Sequence, residues 1–364
     1  MIPTLAPIPA SLPDAVPFVG PETLERQRGA PFRARLGANE NGFGPSPRAV
    51  AAMQAEAAEV WKYGDPTNHD LRAAIAAHCG VGPDNVLVGE GIDALLGLAV
   101  RLMVAPGDMV VTSLGGYPTF DFHVVAAGGR FDRVAYRDDR QDPAALVARA
   151  CAAGARIVYL CNPDNPMGGW HPPEVIEATV AALPDDILLI LDEAYAEFAP
   201  ALPRIDPDDP RVLRMRTFSK AHGMAGARIG WALGAPAVIR AFDRIRNHFG
   251  VNRIAQAGAL AALADTAHLA RTVAQVAAAR DRIAQIAREN GLVPLPSATN
   301  FVTVDCGADG DFARAVLAAL GEGGVFVRMP WVAPQNRCIR ISCGPQDQLD
   351  ALADALPAAL AAAR

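Results

Sequence analysis

The sequence predicts an α/β protein in which a large, mainly parallel sheet carries helices on both faces and a smaller α+β portion follows. Three observations predict it. Between residues 85 and 234, short and continuously apolar runs alternate with helical stretches, which is how strands buried on both faces of a parallel sheet read. Beyond about residue 240 the alternation gives way to helices with strands among them. The length of 364 residues also exceeds what one ordinary hydrophobic core organises, and suits a large domain plus a small one.

Taken in order, residues 1–36 are proline-rich and weakly patterned, an arm expected to pack on the body. NVLVGEG (85–91) reads as a strand and IDALLGLAVRLMV as the helix after it. MVVTS (109–113) is a strand, followed by a helical stretch through FDFHVVAAGG. The series continues in ARIVYLC (155–161), DILLILD (186–192), VLRMRTF (212–218) and RIGWALG (228–234), with the helix PPEVIEATVAAL between the first two. Arg240 to His248 opens a helix-dominated portion, and residues 266–290 read as one long helix ended by Asn290-Gly291. ATNFVTVDC, GVFVRM and RCIRISC are strands among the remaining helices. The expected division is an arm over 1–36, a large domain over 37–240 and a small one over 241–364.

Composition excludes several classes. A chain that is 51% hydrophobic and 20% charged is globular. A net charge of −6 gives no sign of the basic face that nucleic acid requires. No apolar run reaches the roughly 18 residues of a bilayer span, and the best, ALLGLAVRLMVAP, is broken by Arg101. MIPTLAPIPASLP lacks the positive start of a signal peptide. The six cysteines contain no C-x-x-C pair, which suits free thiols and a cytoplasmic protein. The histidines show no metal-ligand spacing, and no metal is expected. Of 33 basic residues only Lys62 and Lys220 are lysines. Where arginine otherwise supplies positive charge, a surviving lysine points to chemistry that arginine cannot do, such as losing its proton and attacking a carbonyl.

Four features fall at the carboxyl ends of predicted strands, where open α/β sheets bind ligands. NPDNPMGG (162–169) makes a rigid loop that can present the Asn165 amide, although an asparagine satisfying its own turn reads the same. LDEAYAEF (191–198) places Asp192 at the end of a buried strand, where a carboxylate needs a cation or donor, with Tyr195 one short turn on. RTFSKAHGMAGARIGW (216–231) sets Lys220 after a strand, with Thr217 and Ser219 beside it and Arg228 eight residues later. That apolar, glycine-rich setting can lower an ammonium pKa, and hydroxyls with an arginine suit a phosphate dianion. VGEGIDALLGL (88–98) is a strand-turn-helix whose Gly91 lets an anion approach the helix N-terminus. Neither G-x-G-x-x-G nor a Gly-Lys phosphate loop occurs in the chain.

In this order the motifs resemble those of the fold type I pyridoxal-phosphate enzymes, the class I/II aminotransferases, and within them the histidinol-phosphate aminotransferase branch. The resemblance runs from GANENGFGPSP (37–47) and KYGDPTNHDLR (62–72) to SATNFV (297–302) and RCIRISCG (337–344). It implies a seven-stranded type of sheet, pyridoxal 5′-phosphate as cofactor, and a homodimer with its active sites at the subunit interface. Lys220 is then the residue joined to the cofactor as a Schiff base, and the proton shuttle. Asp192 pairs with the ring nitrogen, Asn165 and Tyr195 with the phenolic oxygen, and Tyr117 stacks on the ring. The phosphate falls to the backbone of Gly91, Ile92 and Asp93, with Thr217, Ser219 and Arg228, and with Tyr63 reaching in from a second subunit. Arg340 and Arg328 match the substrate-anion arginines, and Asn39 lies in the segment that closes over the substrate. His222 is expected to pack under the cofactor.

Two positions depart from that pattern. Met167 stands where N-P-T-G has threonine, a loop-packing position. Phe249 replaces a tyrosine that in this branch helps hold the substrate phosphate. The implied reaction is transfer of an amino group between an amino acid and a 2-oxo acid, with glutamate and 2-oxoglutarate one pair. Alternatives are an aromatic amino acid aminotransferase, a phosphothreonine-type decarboxylase on the same scaffold, and a non-catalytic cofactor-binding protein.

Overall fold

In the computed structural model, which describes residues 4–12 and 19–364, seven strands form one sheet. They are β1 (Val86–Gly89), β2 (Met109–Ser113), β3 (Arg130–Val134), β4 (Ile157–Cys161), β5 (Leu188–Asp192), β6 (Val212–Thr217) and β7 (Gly230–Leu233). Their spatial order is β1-β7-β6-β5-β4-β2-β3. All pairings from β3 across to β6 are parallel, whereas β7 runs antiparallel to both β6 and β1. Only residues 218–229 join β6 to β7, with no crossover helix among them, so the chain returns antiparallel.

The sequence reading contained six of these strands and missed β3. RFDRV pairs with β2 alone, at the edge of the sheet, and is half exposed. An edge strand does not need the continuous apolar run that marks its buried neighbours, and charge there guards against edge-to-edge association.

Alternation along the strands divides the core between the two faces. Leu87, Ile190, Leu213 and Met215 face the helix Ile92–Met103 and Phe120. On the other face, Val88, Trp231 and Leu233 meet the helices His69–Cys79 and Arg253–Ala264. Val158, Leu160, Leu189 and Leu191 meet Pro143–Ala153 and Pro173–Ala181 on that same face.

The C-terminal portion is built on the antiparallel pair β8 (Phe301–Asp305) and β9 (Cys338–Ser342). Around it lie the helices Thr266–Glu289, Gly310–Glu322 and Gln346–Ala363. Asp265 caps the first of these by accepting from the His268 amide at 3.2 Å, and Gly291, at φ +74°, follows its end. The N-terminal segment joins this portion: Ala34–Arg35 pairs with Val325–Phe326, and the Ser342 amide donates to the Leu36 carbonyl at 2.7 Å. Of the arm expected over residues 1–36, residues 1–3 and 13–18, and with them much of MIPTLAPIPASLP, lie outside the described residues.

The chain differs from expectation after β7. A helix spans Pro236–Phe242 and is replaced by turns through Gly250. The following helix, Arg253–Ala264, packs on Pro47–Glu56 so closely that a Cβ on Gly258 would lie 2.6 Å from Met53 Cγ. Residues up to Ala264 therefore pack with the sheet rather than with the C-terminal strands. No helix among the described residues is long and apolar enough to cross a membrane.

Phe120 is fully buried and stacks on Tyr159 of β4 at 4.4 Å between centroids, with Phe131 of β3 edge-on at 6.3 Å. Phe120→Ala should destabilise the protein by about 3–5 kcal/mol, the range for loss of a buried aromatic. A urea unfolding midpoint unchanged by the substitution would contradict this packing.

Candidate active site

Loops at the carboxyl edge of the sheet meet the N-terminal segment and the C-terminal strands around a cavity of about 790 Å³. Lys220 lines it, three residues beyond the end of β6. Its Nζ donates to the Asn39 carbonyl at 3.0 Å. Asn39 is buried at φ +52°, a conformation asparagine tolerates better than most residues. Three bonds fix it there. Its amide donates to Ser342 Oγ at 2.9 Å, its Nδ2 donates to the Tyr195 hydroxyl at 3.0 Å, and its carbonyl also accepts from Asn300 Nδ2 at 3.1 Å. Asn41 Nδ2 in turn donates to the Lys220 and Ala221 carbonyls, both at 3.1 Å. Burial pushes the Lys220 ammonium down to about 8, reinforced by Arg340 and Arg228 and opposed by Glu40 and Asp192.

Asp192 ends β5 on the cavity side. One oxygen accepts from the Tyr159 hydroxyl at 2.7 Å and the other from the Ala194 amide at 2.9 Å. Burial pushes it up to about 6 despite those bonds, so it is an anion at neutral pH. Asn165 is fixed through its neighbour. Asp164 is buried and pushed up to about 7 by that burial, and it accepts from Gln141 Nε2 at 2.6 Å, the Tyr136 hydroxyl at 3.0 Å and the Met167 amide at 3.0 Å. Asn165 Oδ1 accepts from Arg340 Nη1, which leaves the Nδ2 donor for the cavity.

The helix Ile92–Met103 begins at the cavity wall, with Gly91 at φ +89° as its cap. A Cβ on Gly91 would lie 2.7 Å from Arg228 Nη2, so only glycine lets the guanidinium close on this turn. Arg228 also reaches the Ala225 carbonyl at 2.9 Å and Ser219 Oγ at 3.5 Å, and Thr217 Oγ1 donates to Ser219 Oγ at 2.9 Å. Hydroxyls, a guanidinium and free amides at a helix N-terminus together form a site for a phosphate dianion.

Arg340 and Arg328 are paired across a β-bridge, Arg328 N to the Arg340 carbonyl at 3.2 Å, and both line the cavity. Burial pushes Arg340 down to about 10, and its Nε is buried without a hydrogen-bond partner. Such a guanidinium has unspent capacity for a carboxylate. Arg328 Nη2 donates to the Val19 carbonyl at 3.0 Å, and its guanidinium lies 5.6 Å over the Phe326 ring.

Every site residue predicted from the sequence lines this cavity except Gly91, Tyr63 and Phe249. Gly91 is directly behind Arg228. Tyr63 and Phe249 are exposed and lie against each other at 4.9 Å between centroids, outside the cavity of their own chain. His222 is buried against Phe218 in the core beneath the opposite face, and burial pushes it down to about 4, which keeps it neutral. Met167 is buried within its loop. Sequence reasoning missed Tyr159, Asp164, Asn300 and Ser342. Of these only Tyr159 carried a signal, a hydroxyl in an otherwise apolar strand.

Fold and site together define a group-transfer enzyme with a buried lysine amine beside a site for a phosphate-bearing ligand. The aminotransferase class I and II family model matches residues 34–356. A histidinol-phosphate aminotransferase of Mesorhizobium japonicum is 37% identical over 333 residues, 89% of this chain and 90% of the relative. The histidinol-phosphate aminotransferase of Moorella thermoacetica is 32% identical over 96% of this chain and 92% of its own. The crystal structure of the Sinorhizobium meliloti histidinol-phosphate aminotransferase with pyridoxal 5′-phosphate superposes with a TM-score of 0.96 at 54% identity, covering 99% of this chain and 98% of that one. The chain belongs to the class I and II aminotransferases and is a pyridoxal-phosphate-dependent transaminase.

The residues present fit that cofactor: a depressed lysine, a buried carboxylate and an anion cradle in which Gly91 leaves room for Arg228 surround one cavity. When bound, pyridoxal phosphate supplies an aldehyde for the lysine or substrate amine and a ring that acts as an electron sink.

In the cofactor-free protein Lys220 should react with an amine-directed acylating reagent with a pH midpoint near 8, not at the ordinary lysine value of 10.5. Arg340→Met removes a cation that opposes the ammonium, so the midpoint should rise. A wild-type midpoint of 10 or above would exclude this environment for Lys220.

Proposed function

We propose that the chain transfers the amino group of histidinol phosphate to 2-oxoglutarate, working as a cytoplasmic homodimer that completes each site with Tyr63 of the other subunit. The observation that carries the reading is one cavity holding Lys220 together with two adjacent arginines, Arg340 and Arg328. The names of the similar proteins favour histidinol phosphate over other donors. Six free cysteines suit a reducing compartment.

The proposed roles are those that the family resemblance implies, and the arrangement of the cavity supports them. Lys220 Nζ, with its proton affinity lowered, accepts the proton from the substrate α-carbon. Asp192 is an anion buried at the end of β5, placed to keep a proton on the ring nitrogen. Asn165 Nδ2 and the Tyr195 hydroxyl would hold the phenolic oxygen of the bound cofactor, and Tyr117, which lines the cavity, would bound its ring. Thr217, Ser219, Arg228 and the Gly91-Ile92-Asp93 turn would hold the cofactor phosphate. Arg340 grips the substrate carboxylate through two parallel hydrogen bonds, Arg328 takes the second anion, and Asn39 closes over both.

An aromatic donor is the second reading, because Phe249 offers a ring face where a tyrosine hydroxyl would meet a substrate phosphate. Comparing kcat/KM for histidinol phosphate and phenylalanine in wild type and Phe249→Tyr decides between them. Phe249→Tyr is expected to raise the value for the phosphate substrate several-fold, about the worth of one added hydrogen bond. No gain removes Phe249 from the substrate site, and no reaction with either donor removes the substrate assignment.

Sharing of the site is tested by mixing subunits. Lys220→Ala and Tyr63→Ala chains, each impaired alone, should regain about a quarter of wild-type activity on co-refolding, because half the dimers hold one intact site. A mixture no more active than the mean of its parents places Tyr63 outside the shared site.

A further inference from the structure

On the face of the sheet away from the cavity, Glu193 is buried and carries two guanidinium groups. Arg214 donates to it through Nη2 at 2.8 Å and Nε at 3.1 Å, and Arg216 through Nε at 2.9 Å. Both carboxylate oxygens are engaged, and the two arginines hold the carboxyl below the usual range against the effect of burial. Glu197, half-buried nearby with its Oε2 buried and unpartnered, is pushed up to about 7 by desolvation, which the charge of the same Arg216 opposes.

Strand alternation gives this cluster its reach. Asp192 faces the cavity, so Glu193, the next residue, faces away. Arg216 also faces away, and Thr217, the next residue, lines the cavity just before Ser219 and Lys220. The Glu193 amide bonds the Met215 carbonyl at 2.8 Å, and beyond that contact β5 and β6 part into the Tyr195 turn and the Lys220 loop. One buried carboxylate thus ties the two strand ends that hold the reacting groups at the point where they diverge.

We infer that Glu193 is a positioning residue for the transamination, setting the separation of Asp192 and Tyr195 from Lys220 through its bonds to Arg214 and Arg216. This rests on the roles proposed for Asp192 and Lys220. The cluster is a poor choice for stability alone, since well-packed apolar residues often replace a buried ion pair without loss. A misplacement of about 1 Å at reacting groups, by contrast, can cost on the order of 100-fold in rate.

The test compares holoenzymes of wild type, Glu193→Gln and the double variant Glu193→Leu/Arg216→Met, with Asp192→Ala alongside. Measured are the urea unfolding midpoint, kcat, KM for the amino donor and the pH midpoint of the cofactor's visible band. Glu193→Gln leaves buried charge unpaired and is expected to lose stability, while the double variant removes two of the three charges, leaving Arg214, and should recover part of that loss. In both, kcat should fall by about 10- to 100-fold with KM within about threefold, the pattern of an interaction lost only in the transition state. The visible band should titrate at a displaced pH in both. A double variant that regains wild-type kcat along with stability, or whose band titrates as in wild type, overturns the inference and leaves Glu193 a structural residue. Asp192→Ala separates the two levels of the claim. Wild-type kcat in Asp192→Ala removes the reading of the site itself, whereas a low value there with normal kcat in the double variant removes only the role of Glu193.

Discussion

Keeping an amine ready to lose its proton inside a cavity lined by arginines, without leaving it unpartnered, is the requirement on which the rest of this structure turns. Lys220 meets it with a carbonyl. The Asn39 oxygen at 3.0 Å accepts from Nζ without adding the full negative charge that would hold the ammonium form. Burial and the cations Arg340 and Arg228 then act together to lower its affinity for the proton. That carbonyl can be there only because Asn39 takes a left-handed conformation, and Ser342, Tyr195 and Asn300 each hold it from a different part of the chain.

The same economy appears in the other charged groups. Asp192 is raised by burial but meets two donors, Tyr159 and the Ala194 amide, so it remains an anion at neutral pH. Arg340 spends one nitrogen on Asn165 and thereby orients the Asn165 amide toward the cavity, while its Nε has no partner. Behind the sheet, Glu193 balances Arg214 and Arg216 where no substrate reaches. Several cavity-facing residues are held by neighbours that do not line the cavity, Asp192 by Tyr159 and Asn39 by Ser342 and Asn300, which is how a site on loops acquires the rigidity of the strands beneath it.

Much of this was legible in the sequence because the signals are local. Buried parallel strands announce themselves as apolar runs, and six of the seven could be read that way. β3 could not, since its residues face solvent at an edge and need no such run. Residues at or within a few positions of strand ends, Asp192, Asn165 and Lys220, could be singled out because a polar group there has either a partner or a function. Their supports were not legible. Asp164 reads as one more turn residue until Tyr136 and Gln141 are seen to converge on it.

The sequence by itself determined the fold class and singled out the lysine, because order and spacing along the chain carry them, and its resemblance to the fold type I enzymes implied the cofactor. Only the tertiary structure decided which distant segments complete the site. It laid Asn39 over Lys220, set Arg328 beside Arg340, and placed Tyr63 and Phe249 on the surface rather than in their own cavity. Those outcomes depend on how the sheet, the N-terminal segment and the C-terminal strands pack on one another. Packing between segments more than a hundred residues apart leaves no periodic trace in either of them.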